Sequence, residues 1–440
     1  MRQVSRLLIA PAAAFLCVAP PAYVPGRAQS IHIGPPAADS TAGAPRVRLV
    51  DFPPASEVEV SFTRTAPDGK PPSFRSTARY RVGSDGSVEL SSVPISGDWT
   101  LPSPESPYWT MQADETAPVL DPHIVRIQAR TGSISRDADY RLPTRTGLKV
   151  EAVPQFAGAF LIRPADAVNP LPLVIILGGS GGDDQTARHV APLFAAEGFA
   201  ALGLPYISPN RGRGQAISGL PEMFSQIPVD RLQDVHRWAA ADSRIDAERI
   251  GLWGESKGGE FAILAAAHYP WLDAVAAIVP SDVVWEGFNY TTPKGTGAPS
   301  FTLNGRALPF VPYSAAGRGR DVKEAGRRAD PARAAAARIP IEHFAGLLLV
   351  AGGEHDRSWD SAGMSQSIAE RRSEAGRNTI ALIFPNAGHD LGPPSLHPIE
   401  PGPGGSAEAI GHAQYKVWQA TLRMLNAALK GKTAADRQSR

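Results

Sequence analysis

Two stretches of the 440-residue chain fit G-x-S-x-G, a pattern able to present a nucleophilic serine: "GESKG" with Ser256 at its centre and "GGSGG" with Ser180. A serine hydroxyl attacks a carbonyl from a sharp turn between a buried strand and a helix, where flanking glycines leave room for the backbone. Ser256 has that context. The apolar run "RIGLW" precedes it, and "KGGEFAILAAAHY" starts a helical pattern directly after it. Ser180 also follows an apolar run, "LVIIL", but Asp183 and Asp184 intervene before the next helical pattern. The glycine-rich stretch therefore reads as a loop whose N–H groups oppose the elbow, and no G-K-[ST] follows to make it a phosphate cradle. Ser256 is expected to be the nucleophile. Gly179, Ser180 and Gly181, together with the Lys257 N–H, are expected to line an oxyanion hole, while the Lys257 side chain covers the elbow.

A serine needs a base, and the base needs an acid to orient it. In the chain order Ser, Asp or Glu, His, the histidine falls on the loop after the last strand. "ALIFPNAGHD" supplies His389 there. The acid belongs after the preceding strand, where "GLLLVAGGEHDRSWDS" offers Glu354, Asp356 and Asp360. Asp356 lies in the first turn beyond that strand. Asp360 is placed to cap the helix that follows, and Asp282, one strand earlier, remains a competitor. Arg211, Arg213, Arg318 and Arg320 are candidate contacts for anionic parts of a substrate, against the plainer reading of solvated loop and helix charges.

These residues need a scaffold, and the apolar patterning supplies one. From about residue 147, buried-type strands such as "PLVIILGG", "GLLLVAGG" and "NTIALIFP" alternate with helical segments. That alternation predicts an α/β fold with a mostly parallel central sheet, the α/β-hydrolase arrangement, over 147–432. Residues 285–340 break the rhythm and read as a cap-like insertion. Before the α/β part, residues 46–146 hold short alternating stretches such as "EVEVSFTRT" and "HIVRIQART", with Gly, Pro and Asp punctuation. They predict a small all-β, immunoglobulin-like sandwich. Residues 29–45 read as a linker and 433–440 as a tail.

Taken together, "GLWGESKGGE", "GGSGGDDQTARHVAPLFAAEGFAALGLPY", "GGEHDRSW", "FPNAGHDLGPP" and the closing "AEAIGHAQYKVWQATLRML" resemble the acyl-CoA thioesterase and bile acid-CoA:amino acid N-acyltransferase family. "ARYRVGSDGSVEL" and "YWTMQ" resemble its N-terminal β-sandwich. The resemblance implies a triad, carried here by Ser256, Asp356 and His389, and a serine member is expected to hydrolyse acyl thioesters without cofactor or metal.

Composition sets outer limits. Hydrophobic content of 43% and a net charge of +1 fit a globular chain with no overall field for nucleic acid. "MRQVSR" followed by the proline-broken apolar run "LLIAPAAAFLCVAPPAYV" reads as a signal peptide ending near residue 28, not as a stable membrane span. Its removal would take away Cys17, the single cysteine, and with it disulfides and thiolate chemistry. The expected location is the periplasm or outside the cell, where acyl-CoA is scarce. An exported carboxylesterase acting on oxygen esters, and a non-catalytic binding protein on a hydrolase scaffold, therefore stand as alternatives.

Overall fold

The computed structural model describes residues 26–36, 42–182, 184–208, 216–291, 295–313, 319–402 and 404–431. Most of the expected leader and the whole expected tail lie outside these residues, as do Arg211, Arg213 and Arg318. Among the described residues no helix is long and apolar enough to cross a membrane.

The N-terminal part is a sandwich of antiparallel strands. Glu57–Thr65 sits between Ser73–Arg81 and Ile124–Thr131, and Ile134–Arg141 extends that sheet. Alternation places Val58, Val60 and Phe62 on one buried face, where they meet Tyr80, Trp99, Tyr108, Val125 and Ile127. A second sheet closes the core with Val47, Leu49 and Val88. One expectation is corrected here. The stretch 29–45, read as a linker, contains the strand Ser30–Pro36, which pairs with Pro45–Val50 from Ser30–Val50 to Pro36–Pro45. Its prolines and glycine hide the strand pattern, and the register irregularity between Gly34 and Pro36 absorbs them.

The α/β part is built on an eight-stranded sheet in the order Leu148–Ala152, Phe160–Pro164, Ala200–Gly203, Leu171–Leu177, Ile245–Glu255, Ala274–Ile278, Leu347–Gly353, Thr379–Phe384. The last six strands in this order run parallel. The central ones are apolar on both faces because helices cover both sides. Lys257–His268 packs on one face and Ala407–Leu429 on the other, giving two cores. Parallel strands present their C-terminal ends on a single side, and every loop discussed below leaves the sheet there.

The region 285–340 is structured. It carries the hairpin Glu286–Phe288 with Gly295–Pro299, the short strand Phe301–Leu303 and the helices Arg320–Ala329 and Pro331–Ala336. The first helix is strongly polar and buries only Lys323, so it leaves no apolar stripe in the sequence.

The sandwich is fixed to the α/β part by polar contacts. Glu408, at the start of the last helix, accepts from the Thr100 and Leu101 amides and the Thr100 hydroxyl. Arg64 donates to the Leu396 carbonyl, and the Ile399 amide donates to the Trp109 carbonyl at 3.0 Å. These contacts reach the segment that follows His389.

Candidate active site

The turn after Ile245–Glu255 is tight. Ser256 adopts φ 57° and ψ −119°, a left-handed conformation that L-residues avoid. Such a residue costs about 1–3 kcal/mol and persists only where its surroundings fix it. Here they do. The Ser256 amide donates to the Ile278 carbonyl of the neighbouring strand at 2.8 Å, and the helix Lys257–His268 begins at the next residue. A Cβ at Gly254 would collide with the Gly258 backbone, and one at Gly258 would collide with the carbonyls of Leu177 and Gly178. The two glycines of the motif thus allow strand, helix and neighbouring loop to meet around the serine.

The acid loop follows Leu347–Gly353. Asp356 is fully buried, and its Oδ1 accepts from the Ser358 and Trp359 amides at 2.7 and 3.3 Å. The histidine loop follows Thr379–Phe384 and is tied to the acid loop by the His355 amide, which donates to Ala387 at 3.0 Å. His389 Nδ1 then lies 2.7 Å from Asp356 Oδ2, and His389 Nε2 lies 2.8 Å from Ser256 Oγ. Trp359 packs edge-on to the imidazole at 5.7 Å. The three side chains form one hydrogen-bonded line at the ends of three different strands.

The competing acids are elsewhere. Asp360 caps Ser361–Glu374 by accepting from the Gly363 amide. Asp282 pairs with Arg327 and accepts from the Ser367 hydroxyl at 2.9 Å. Arg320 was expected as a substrate contact, but its guanidinium donates to the Glu354 and Asp356 carbonyls and pairs with Asp360, so it braces the acid loop.

The loop 178–181 faces the elbow. A Cβ at Gly179 would sit 3.2 Å from the Ser256 Cβ. The Tyr206 hydroxyl lies 2.5 and 2.8 Å from the Gly178 and Gly179 carbonyls, and the Tyr290 hydroxyl donates to the Ser180 carbonyl. With those carbonyls held, the amides of Ser180 and Gly181 point the opposite way, because C=O and N–H oppose each other across a trans peptide. Ser256 and His389 open into a cavity of about 1190 Å³, walled by Phe288, Tyr290, Tyr313, Lys323, Arg357 and Trp359 among others. Four of these six come from the 285–340 region.

Four charged side chains, Lys257, Glu260, Glu255 and Asp390, have roles that sequence reasoning did not find. Lys257 is buried, contrary to a side chain merely covering the elbow. Its Nζ donates to Glu260 at 2.6 Å and to the Ser300 hydroxyl at 2.8 Å. Burial pulls the ammonium below its ordinary range and pushes Glu260 above its own, and their pairing opposes both shifts. Glu255 and Asp390 flank the line of three. Burial first, then repulsion from Asp390, pushes the Glu255 carboxyl up to about 7, and burial raises Asp390 as well. The sequence signal for Glu255 is an acid inside the otherwise apolar "GLWGES". Nothing local marks its approach to Asp390. Among the described residues no cluster of His, Cys, Asp and Glu could hold a metal ion.

The fold and this site define an α/β-hydrolase, and the protein is a hydrolase enzyme. Residues 232–431 match the family model for the BAAT / acyl-CoA thioester hydrolase C-terminal region, and residues 157–296 match that of the dienelactone hydrolase family. The chain is 26% identical over 400 residues to mouse peroxisomal succinyl-coenzyme A thioesterase, covering 84% of this chain and 90% of that protein. It is 25% identical over 410 residues to rat mitochondrial acyl-coenzyme A thioesterase 2, covering 86% and 85%. A solved α/β-hydrolase from a Medee basin deep-sea metagenome library aligns with 64% of this chain and 98% of its own at 17% identity and a TM-score of 0.38. The resemblance to the acyl-CoA thioesterase and bile acid-CoA:amino acid N-acyltransferase family thus extends over most of the chain.

Proposed function

We propose that the protein is a serine hydrolase that cleaves acyl thioesters through Ser256, His389 and Asp356. The observation that carries this reading is the unbroken line from Asp356 Oδ2 through His389 to Ser256 Oγ, with contacts of 2.7 and 2.8 Å, opening into a cavity. The curated relatives bearing thioesterase names support the substrate class.

In this mechanism His389 Nε2 takes the proton as Ser256 Oγ adds to the carbonyl. Asp356 keeps Nδ1 protonated and stabilises the imidazolium. The Lys257 amide, at the start of a helix where N–H groups have no intrahelical partner, and the amides of the 179–181 loop receive the oxyanion. His389 then gives its proton to the departing thiolate, leaving an ester on Ser256. Water, deprotonated by the same nitrogen, releases the acid. The strained backbone of Ser256 holds the hydroxyl at the mouth of the cavity through both halves.

Labelling with a fluorophosphonate probe, absent in Ser256→Ala, tests the nucleophile. Initial rates on acyl-CoA and p-nitrophenyl esters of matched chain length test the leaving group. Cleavage of oxygen esters alone would replace the thioesterase reading with that of a carboxylesterase, which the basic and apolar leader favours. Export is part of the same proposal: N-terminal sequencing of protein recovered from the periplasm or medium should start near Gln29, and a chain retained in the cytoplasm with Met1 would overturn it.

A further inference from the structure

A second cavity, of about 500 Å³, opens between the sandwich and the loops of the α/β part. Arg64 enters it from the strand Glu57–Thr65, Arg145 from the segment joining the two parts, His189 from the helix Gln185–Ala196 and His397 from the histidine loop. Glu255 and Asp390 form the wall shared with the first cavity.

Arg64 is the unusual member. Its residue is only 3% exposed, yet among the described residues no carboxylate pairs with it, and its one hydrogen bond is to the Leu396 carbonyl. Burial works against its charge. Buried charges are normally paired, since taking an ion out of water costs several kcal/mol. The shared-wall acids form no ion pair with it among the described residues, and burial raises both Glu255 and Asp390, which favours their neutral forms. His397 lies at the exposed rim of the cavity, where partial burial and then repulsion from Arg64 and His189 lower its imidazole. Four groups able to carry positive charge therefore face one space, and among the described residues no carboxylate is paired with the most buried of them.

We propose that this interdomain cavity is a binding site for a phosphate-type oxyanion, seated on the Arg64 guanidinium and ringed by His189, His397 and Arg145. The guanidinium offers a planar fork of donors suited to two oxygens, and the imidazoles and second guanidinium approach the remaining oxygens from other elements. A bound anion would supply Arg64 with a counter-charge. It would also join the sandwich, through Arg64, to the loop that carries His389. The inference stands whether or not Ser256 is the nucleophile.

The test is a calorimetric titration of the full chain with inorganic phosphate at constant ionic strength, paralleled by thermal unfolding. One saturable site and a Tm that rises with phosphate concentration are expected. Phenyl phosphate should also saturate if the source is a phosphorylated molecule, and tighter binding than inorganic phosphate would assign the site to such a molecule; weaker binding would assign it to the free ion. Because Arg64 also ties the two parts together, the double variant His189→Gln/His397→Gln carries the argument. It should weaken phosphate by about tenfold or more, as expected for loss of charge-assisted bonds. Ser256→Ala should bind phosphate as the parent does. No saturable binding, undiminished binding in the double variant, preference for acetate, or loss in Ser256→Ala would each overturn the proposal.

Discussion

His389 Nε2 stands 2.8 Å from Ser256 Oγ across 133 positions of sequence. The contact exists because two loops leave the same edge of a parallel sheet three strands apart. Among the described residues Ser256 is the motif serine whose hydroxyl meets a histidine, while the Ser180 segment is held through its carbonyls by Tyr206 and Tyr290. Replacement Ser256→Ala should lower kcat by about 10⁴-fold or more and leave unfolding unchanged, whereas Ser180→Ala should keep fluorophosphonate labelling. Labelling retained in the first and lost in the second would reverse the assignment.

Asp356 is anchored by the Ser358 and Trp359 amides, so an amide in its place would keep the geometry while offering Nδ1 the wrong partner. Asp356→Asn is expected to lower kcat about 10⁴-fold with little change in KM. A drop below tenfold would show that another acid, such as the neighbouring Asp390, serves the histidine.

Glu255 sets a pH signature. With its carboxyl raised to about 7, it changes from neutral to charged as pH rises through neutrality. That anion forms beside His389, so Glu255→Gln should alter the kcat/KM profile around neutrality. Stability gives an independent check. The unfolded chain loses this proton near 4.5 and the folded one near 7, so stability falls across that window as pH rises, and the variant should lose that slope. An unchanged profile would mean that Glu255 does not reach His389.

Lys257 and Glu260 are a buried pair next to the elbow. Removing one partner strands the other. Lys257→Met is expected to lower unfolding free energy by about 3–5 kcal/mol, and adding Glu260→Leu should recover most of it. Urea midpoints of the two variants test this, and a double variant less stable than the single would point to the Ser300 and Trp285 contacts as the stronger term.

Much of the site was legible because its signals are local. Gly254 of "GESKG" answers to the backbone of Gly258 within the same turn, and the Asp360 cap answers to the Gly363 amide three positions on. Strand alternation in Glu57–Thr65 gave the sandwich face directly. Where the reading failed, the cause was distant. The strand Ser30–Pro36 has a poor pattern of its own and is held by its partner Pro45–Val50. Arg320 has the look of a free loop charge, but three acceptors on the acid loop claim it.

The sequence by itself determined the elbow, the chain order of Ser256, Asp356 and His389, and the two-part architecture, because turn sterics and apolar periodicity act over short spans of chain. The tertiary structure alone decided which histidine nitrogen faces which oxygen, which acid crowds Glu255, and that Arg64 is buried between two parts with no carboxylate paired to it among the described residues. Those are properties of distance and dielectric. They arise only when segments far apart in the chain are brought together and water is removed from between them.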